Sequence, residues 1–287
     1  LSSQPRVPAM NRITLLIIAT LLGAIVYHSA LIEVISSILN REGSSHGFFI
    51  PIFSALFLWS RRDELATAEK KVEPVYIPLS AALLIIPPVL LPSLRLEFIF
   101  FVLYLASLVP VFYGKSVFKI SAFSVLFLAV MTPMTGELYV QIGEIARFLT
   151  FHISVGILSV LGITHYAEGW FVHLPTAVLE VNLGCSGIRY LISYFVFGIA
   201  YAYLSREKPG ARVLFVALTV PFSILATSFR LLAIYLLTYF ISPKMAEHVP
   251  HLITSWTVFG VFLIGGIALD QMTTKFWNKR KLAQVET

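Results

Sequence analysis

The sequence predicts an all-α polytopic membrane protein with about eight transmembrane helices, an outer interfacial helix and a short β-hairpin. Hydrophobic residues make up 57% of the 287 and charged residues 13%, with a mean hydropathy of +0.84, whereas soluble domains are roughly 45–50% apolar and 25% charged. Apolar runs long enough for a ~30 Å hydrocarbon layer, roughly 17–25 residues each, recur along the whole chain. The cations gather in short clusters between those runs.

The runs place spans at 13–32, 47–60, 76–92, 98–114, 117–134, 186–205, 211–240 and 252–270. The first exceeds a signal-peptide core and is followed by others, so it reads as a retained helix. The second is short and is expected to begin earlier or to pack inside the bundle. Pro51, Pro87, Pro88 and Pro110 read as kinks, because neighbouring helices can satisfy the freed backbone groups. No internal repeat is present, and one membrane domain over 1–287 is the simplest organisation. Within it 1–12 is a tag remnant or cytoplasmic tail, and 271–287 is a cytoplasmic tail.

A net charge of +6 could indicate nucleic acid, but the distribution of the cations argues for orientation in a bilayer instead. With the N-terminus inside, Arg6, Arg12, Arg61, Arg62, Lys70, Lys71, Lys115, Lys119, Arg206, Lys208, Arg212, Lys275, Lys279, Arg280 and Lys281 fall on cytoplasmic segments, 15 of the 21. Arg41, Arg95, Arg147, Arg189, Arg230 and Lys244 do not. The bias recurs at every inner loop, which puts both termini in the cytoplasm.

The longest stretch between spans, 135–184, then lies outside. From Glu137 to Leu161 apolar residues recur at helical spacing, broken by Glu144, Arg147 and His152, the pattern of a helix in the membrane interface. Two Val- and aromatic-rich runs flank Pro175-Thr176 and read as a hairpin. An open sheet edge cannot face lipid, so the hairpin sits above the hydrocarbon or against protein.

This topology gathers reactive side chains at one surface. Cys185 stands at the outer start of the sixth span, followed by Ser186, Gly187, Ile188 and Arg189. Arg230 is 18 residues beyond Arg212, roughly 27 Å along a helix and near the outer hydrocarbon boundary. His251 opens the eighth span and His46 the second, both from outside. A thiol in the first turn of a helix near Arg189 and Arg230 has its thiolate favoured. His251 can take the thiol proton and return it to a leaving amine. Arg230, always charged and rich in donors, can stabilise an oxyanion. The bland alternatives are an inert small hydrophobe for Cys185, a structural or capping role for His46, an interfacial residue at a helix end for His251, and a snorkelling Arg230. Cys185 is the only cysteine, which leaves no intramolecular disulfide and no cysteine cage for a metal; no cofactor is expected.

The run Cys185-Ser186-Gly187-Ile188-Arg189, the Arg230 that closes Ala226-Thr227-Ser228-Phe229-Arg230, and His251 followed by Trp256 and Phe259 resemble the three signatures of the exosortase/archaeosortase family. Ser45-His46-Gly47-Phe48, Ile50-Pro51, Trp59 and Arg61-Arg62 resemble its segment near the second span. The likeness runs from about residue 30 to 270 and favours the exosortase branch. It implies a membrane cysteine transpeptidase of the plasma (inner) membrane that cleaves C-terminal, PEP-CTERM-like sorting signals. The implied partners are exported proteins ending in a signal helix and basic tail, with membrane lipids or a lipid-linked acceptor receiving the product. Cys185 would be the nucleophile, His251 the acid/base and Arg230 the transition-state stabiliser, with His46, Ser186 and Arg189 in support. The chain departs from the pattern at Thr227, where Asn is frequent, at Leu183, where Glu is, and at Ser255, where Gly is; the last reads as a packing change.

Two readings from other classes compete. A transporter or lipid-linked glycan flippase subunit of an exopolysaccharide system would line a path with polar residues at mid-depth, of which Thr132, Ser223 and Ser124 are the candidates. A structural assembly platform would leave Cys185 unreactive.

Overall fold

A computed structural model describes the backbone of residues 11–40, 45–71, 73–90, 96–132, 136–206 and 208–285, and their side chains except at 40, 45, 185, 248–252, 273 and 275–285. Arg41 and Arg95 lie outside the described residues. The chain divides into two compact units, Leu1–Pro133 with Tyr203–Ser205, and Met134–Ala202 with Arg206–Thr287.

In the first unit α1 (Arg12–Val26) and α2 (His28–Asn40) meet at a 77° bend, where hydropathy alone predicts one straight span. The cause is long-range: the fully buried Tyr27 donates its hydroxyl to the Leu83 carbonyl at the junction. A 3₁₀ turn (Ser45–Phe48) leads into α3 (Phe49–Ser60) and α4 (Arg62–Thr67), followed by α5 (Ile77–Leu90), α6 (Glu97–Tyr113) and α7 (Lys115–Phe127). Small residues permit close packing, as expected where lipid removes the hydrophobic drive between helices. Gly23 lies against the Tyr104 ring, whose hydroxyl donates to the Ala19 carbonyl at 2.8 Å. Ser107 donates to Ser80 across α5 and α6 at 2.9 Å, and Ser54 to the Ser124 carbonyl at 2.7 Å. Gly114 ends α6 at φ 93°, and a Cβ there would lie 2.2 Å from the Lys71 carbonyl oxygen, so only glycine makes this corner.

The second unit opens with α8 (Glu137–Val160), then β1 (Tyr166–Glu168), β2 (Phe171–His173) and β3 (Val178–Glu180), a 3₁₀ turn (Leu183–Cys185), α9 (Ile188–Ser205), α10 (Pro209–Phe240), a second turn (Pro243–Ala246) and α11 (His248–Val285). The strands form an antiparallel sheet in sequence order, Val172 facing both Ala167 and Leu179. The expected hairpin is its β2–β3 half, closed at Pro175-Thr176 by Leu174 donating to the Ala177 carbonyl at 2.9 Å. β1 is an addition: a three-residue Tyr-Ala-Glu segment carries too little pattern to be read. A core of Phe151, Leu158, Val172, Leu174, Val181, Leu231, Leu232 and Tyr235 joins α8, the sheet and the C-terminal third of α10. Thr176 adds a hydrogen bond to the Thr238 carbonyl at 3.2 Å.

The mainly helical class and small sheet are as expected, but the count of spans differs. Among the described residues, Glu137–Val160, Ile188–Ser205, Pro209–Phe240 and Ile253–Met272 are long and apolar enough to cross a membrane, with the bent α1–α2 pair a fifth if taken as one span. The expected spans 47–60, 76–92, 98–114 and 117–134 correspond to helices too short or too polar to pass alone, cut by turns at Pro74 and Gly114 and, after Phe127, by a 3₁₀ segment. The segment expected to lie in the interface, 137–161, folds as one helix of 24 residues, Glu137–Val160, whose length would also suit a crossing. Its residues Phe151 and Leu158 are committed to the core with α10 and the sheet.

Candidate functional site around Arg230

The segment entering the site is fixed from three sides. After β3 the Val181 amide donates to the Trp170 carbonyl at 2.9 Å, which holds the chain to the sheet. Leu183 packs on α8, where a Cβ on Gly143 would come within 2.8 Å of it. Ser186, fully buried, donates its amide to the Leu183 carbonyl at 3.1 Å. Its hydroxyl accepts the Ile188 amide at 3.3 Å, satisfying one of the orphan donors at the start of α9. Cys185 is the last residue of the 3₁₀ turn. Beside it, an Arg189 Nη lies 3.6 Å from the position of a Cβ on Gly184, so the guanidinium borders the cysteine turn as the spacing predicts.

Gly187 joins this turn to α10. It caps α9 at φ +81°, a left-handed conformation that costs any side chain. A Cβ there would also stand 2.4 Å from both Thr227 Cγ2 and Thr227 Oγ1. The segment that carries Cys185 is thereby packed against the Thr227 side chain, one turn before Arg230. Thr227 donates its hydroxyl to the Ser223 carbonyl at 2.9 Å, as a helical threonine commonly does.

Arg230 lies in the C-terminal third of the 32-residue apolar α10 and is 4% exposed, a burial that demands partners for its charge. Its Nε donates to Ser255 Oγ at 2.8 Å. Its guanidinium carbon lies 5.1 Å from the centre of the Tyr190 ring, within cation–π range. Tyr194 completes the wall, donating to the Phe259 carbonyl at 3.0 Å with ring centres 4.7 Å apart, which ties α9 to α11. Tyr190, Tyr194, Ala226, Thr227, Arg230, Ser255, Val258 and Phe259 line one narrow, tightly packed crevice.

His251 stands in the first turn of α11, four residues before Ser255 and so on the same face of the helix. The side chains of Cys185 and His251 lie outside the described part of the structure. Their backbones are tied to the surroundings of Arg230 through Gly187 and Ser255 respectively. His46 sits half-buried in the turn Ser45–Phe48 of the first unit and is not among the residues assembled here. His152 and His165 bond to the local carbonyls of Phe148 and Ile163 at 2.8 and 2.7 Å, which agrees with surface roles. Of the mid-depth polar candidates, Ser223 spends its hydroxyl on the Val220 carbonyl at 2.7 Å. The sequence reading missed Tyr190 and the role of Ser255. The four-residue spacing of Ser255 from His251 is the signal that could have found the latter.

Apolar helices of crossing length packed around a buried arginine define a helical membrane protein with a polar site among α9, α10 and α11. Residues 38–267, four-fifths of the chain, match the family model of the transmembrane exosortases, and the chain belongs to that family. No curated protein and no solved structure matches it.

Proposed function

We propose that the protein is a membrane-embedded cysteine transpeptidase that cleaves C-terminal, PEP-CTERM-like sorting signals of exported proteins and transfers them to a surface anchor. The observation that carries this reading is the contact of Gly187 with Thr227, which brings the Cys185 turn against the helix turn that bears the buried Arg230.

The Cys185 thiol gives its proton to His251 and the thiolate sulfur attacks the scissile carbonyl carbon. Charge moves to the carbonyl oxygen, where the Arg230 guanidinium stabilises it. The tetrahedral intermediate collapses with rupture of the C–N bond. His251 returns the proton to the departing amine, leaving an acyl thioester on Cys185. An acceptor nucleophile, a lipid-linked amine or hydroxyl or else water, attacks that carbonyl and loses its proton to His251. The thiolate leaves and is reprotonated. Ser186 and Arg189 hold the turn, and His46 is in a substrate-binding or supporting role.

An extracytoplasmic site is supported by the cations that flank the inner ends of α9 and α10, Arg206, Lys208 and Arg212. A helix of 32 residues is about 48 Å long, well beyond a ~30 Å hydrocarbon layer. The excess at its C-terminal end is the part covered by α8 and the sheet. This fits a cap outside the inner membrane with the site at its base and both termini in the cytoplasm.

Cells expressing an exported reporter with a C-terminal signal helix and basic tail provide the test. Cys185→Ala and Cys185→Ser should accumulate in the membrane at wild-type level while the reporter stays full length. Unimpaired processing by Cys185→Ala would remove the mechanism.

A further inference from the structure

We infer that Ser255 is a positioning residue for Arg230, an inference that rests on the reading of Arg230 as the oxyanion stabiliser. An arginine carries its charge at the end of a side chain with several rotatable bonds. Its usefulness toward a developing oxyanion depends on a guanidinium already aimed when the charge appears. Two contacts fix that plane here. The Tyr190 face supports the guanidinium at 5.1 Å from ring centre to Cζ, and Ser255 Oγ accepts the Nε hydrogen at 2.8 Å. Ser255 is itself 4% exposed, so water cannot readily take its place as acceptor. With Nε bonded to Ser255 on α11, one Nη hydrogen runs parallel to the Nε–H and the other Nη donors point away from Ser255, because the group is planar and rigid.

Ser255 also couples two of the three reactive groups. It stands on α11 one turn after His251, and its hydrogen bond crosses to α10. Ser255 thereby links the helix that carries His251 to the guanidinium on α10, beside the ring contacts of Phe262 with Phe222 and Phe229. Tyr194 and Phe259 hold α9 to α11 beside it. Loss of the hydroxyl leaves a buried guanidinium N–H without that acceptor, and the group is expected to turn toward another partner. The consequence falls on the transition state more than on binding, because the oxyanion that Arg230 stabilises exists only there.

The test is steady-state processing of the same reporter by the full-length protein in detergent, with thermal unfolding recorded in parallel. Ser255→Ala should lower kcat about tenfold to a hundredfold at unchanged KM, the size expected when a charge-stabilising donor is misplaced rather than deleted. Ser255→Thr, which keeps the hydroxyl, should restore most of that loss. In an Arg230→Ala background Ser255→Ala should have no further effect, since there is nothing left to position. A Ser255→Ala enzyme with wild-type kcat would overturn the inference, as would an equal loss in both backgrounds. Should Ser255→Ala fail to fold, Ser255→Cys, of similar size and a poor acceptor, decides the question: low kcat supports the inference and wild-type kcat overturns it. An inactive Cys185→Ala protein beside an active Ser255→Ala protein would remove this inference alone, whereas an active Cys185→Ala protein would remove the transpeptidase reading beneath it.

Discussion

Gly187 and Thr227 approach so closely that a methyl group on the glycine would lie 2.4 Å from the threonine hydroxyl oxygen. The contact joins the loop that ends in a cysteine to the turn of α10 that leads into a buried arginine. It requires the residue after Ser186 to have no side chain, for reasons of space and of backbone conformation together.

Gly187→Ala should therefore be costly. The left-handed φ and the overpacking against Thr227 add to roughly 2–4 kcal/mol. Thermal or denaturant unfolding of the purified protein should show a clear loss of stability. Processing should fall as the Cys185 turn moves away from α10. A variant with wild-type stability and activity would mean that the approach of the two segments is looser than described.

Farther along α11 from His251, Asp270 accepts hydrogen bonds from Tyr201 at 3.0 Å and from Arg206, whose guanidinium also reaches Thr274 at 3.3 Å. The ion pair is only partly screened, with 22% and 16% of the side-chain surfaces exposed. Asp270→Asn should cost about 1–2 kcal/mol of stability. The residue lies some 28 Å along the helix from His251, so kcat should be retained. Loss of activity in a stably folded Asp270→Asn protein would contradict the separation of clamp from site.

Orientation can be read by cysteine labelling in a Cys185→Ala background. Tyr166 is 61% exposed in β1. Asp63, 93% exposed at its side chain, lies in α4 between two cation clusters. A membrane-impermeant maleimide applied to intact cells should label Tyr166→Cys. It should reach Asp63→Cys only after permeabilisation. The reverse pattern would turn the protein over and place the cysteine turn in the cytoplasm.

What could be read without coordinates follows from how local the cause is. The helices α9 and α10 begin and end within two residues of their expected limits, because long apolar runs and the cations beside Arg206 and Arg212 mark them directly. The Pro175-Thr176 turn was equally plain. The bend at Tyr27 was not, since its cause is a hydroxyl reaching a carbonyl 56 residues away. The 137–160 helix has the composition of an interfacial segment and the length of a crossing one; its packing against Leu231, Leu232 and Tyr235 is a tertiary fact. In the site, the charge of Arg230 is legible in the sequence because an arginine within an apolar run is costly unless partnered. Ser255 is not, because a small residue on a helix in a bundle has the signature of packing and its partner lies 25 residues away.

The most direct measurement is mass spectrometry of the purified protein after brief incubation with a peptide that carries a C-terminal sorting signal. A mass increase equal to the acyl portion of the peptide, mapped to Cys185 and released by hydroxylamine, is the expected result. Processing of the peptide with no adduct at Cys185, or an equal adduct on the Cys185→Ala protein, would contradict a thioester mechanism.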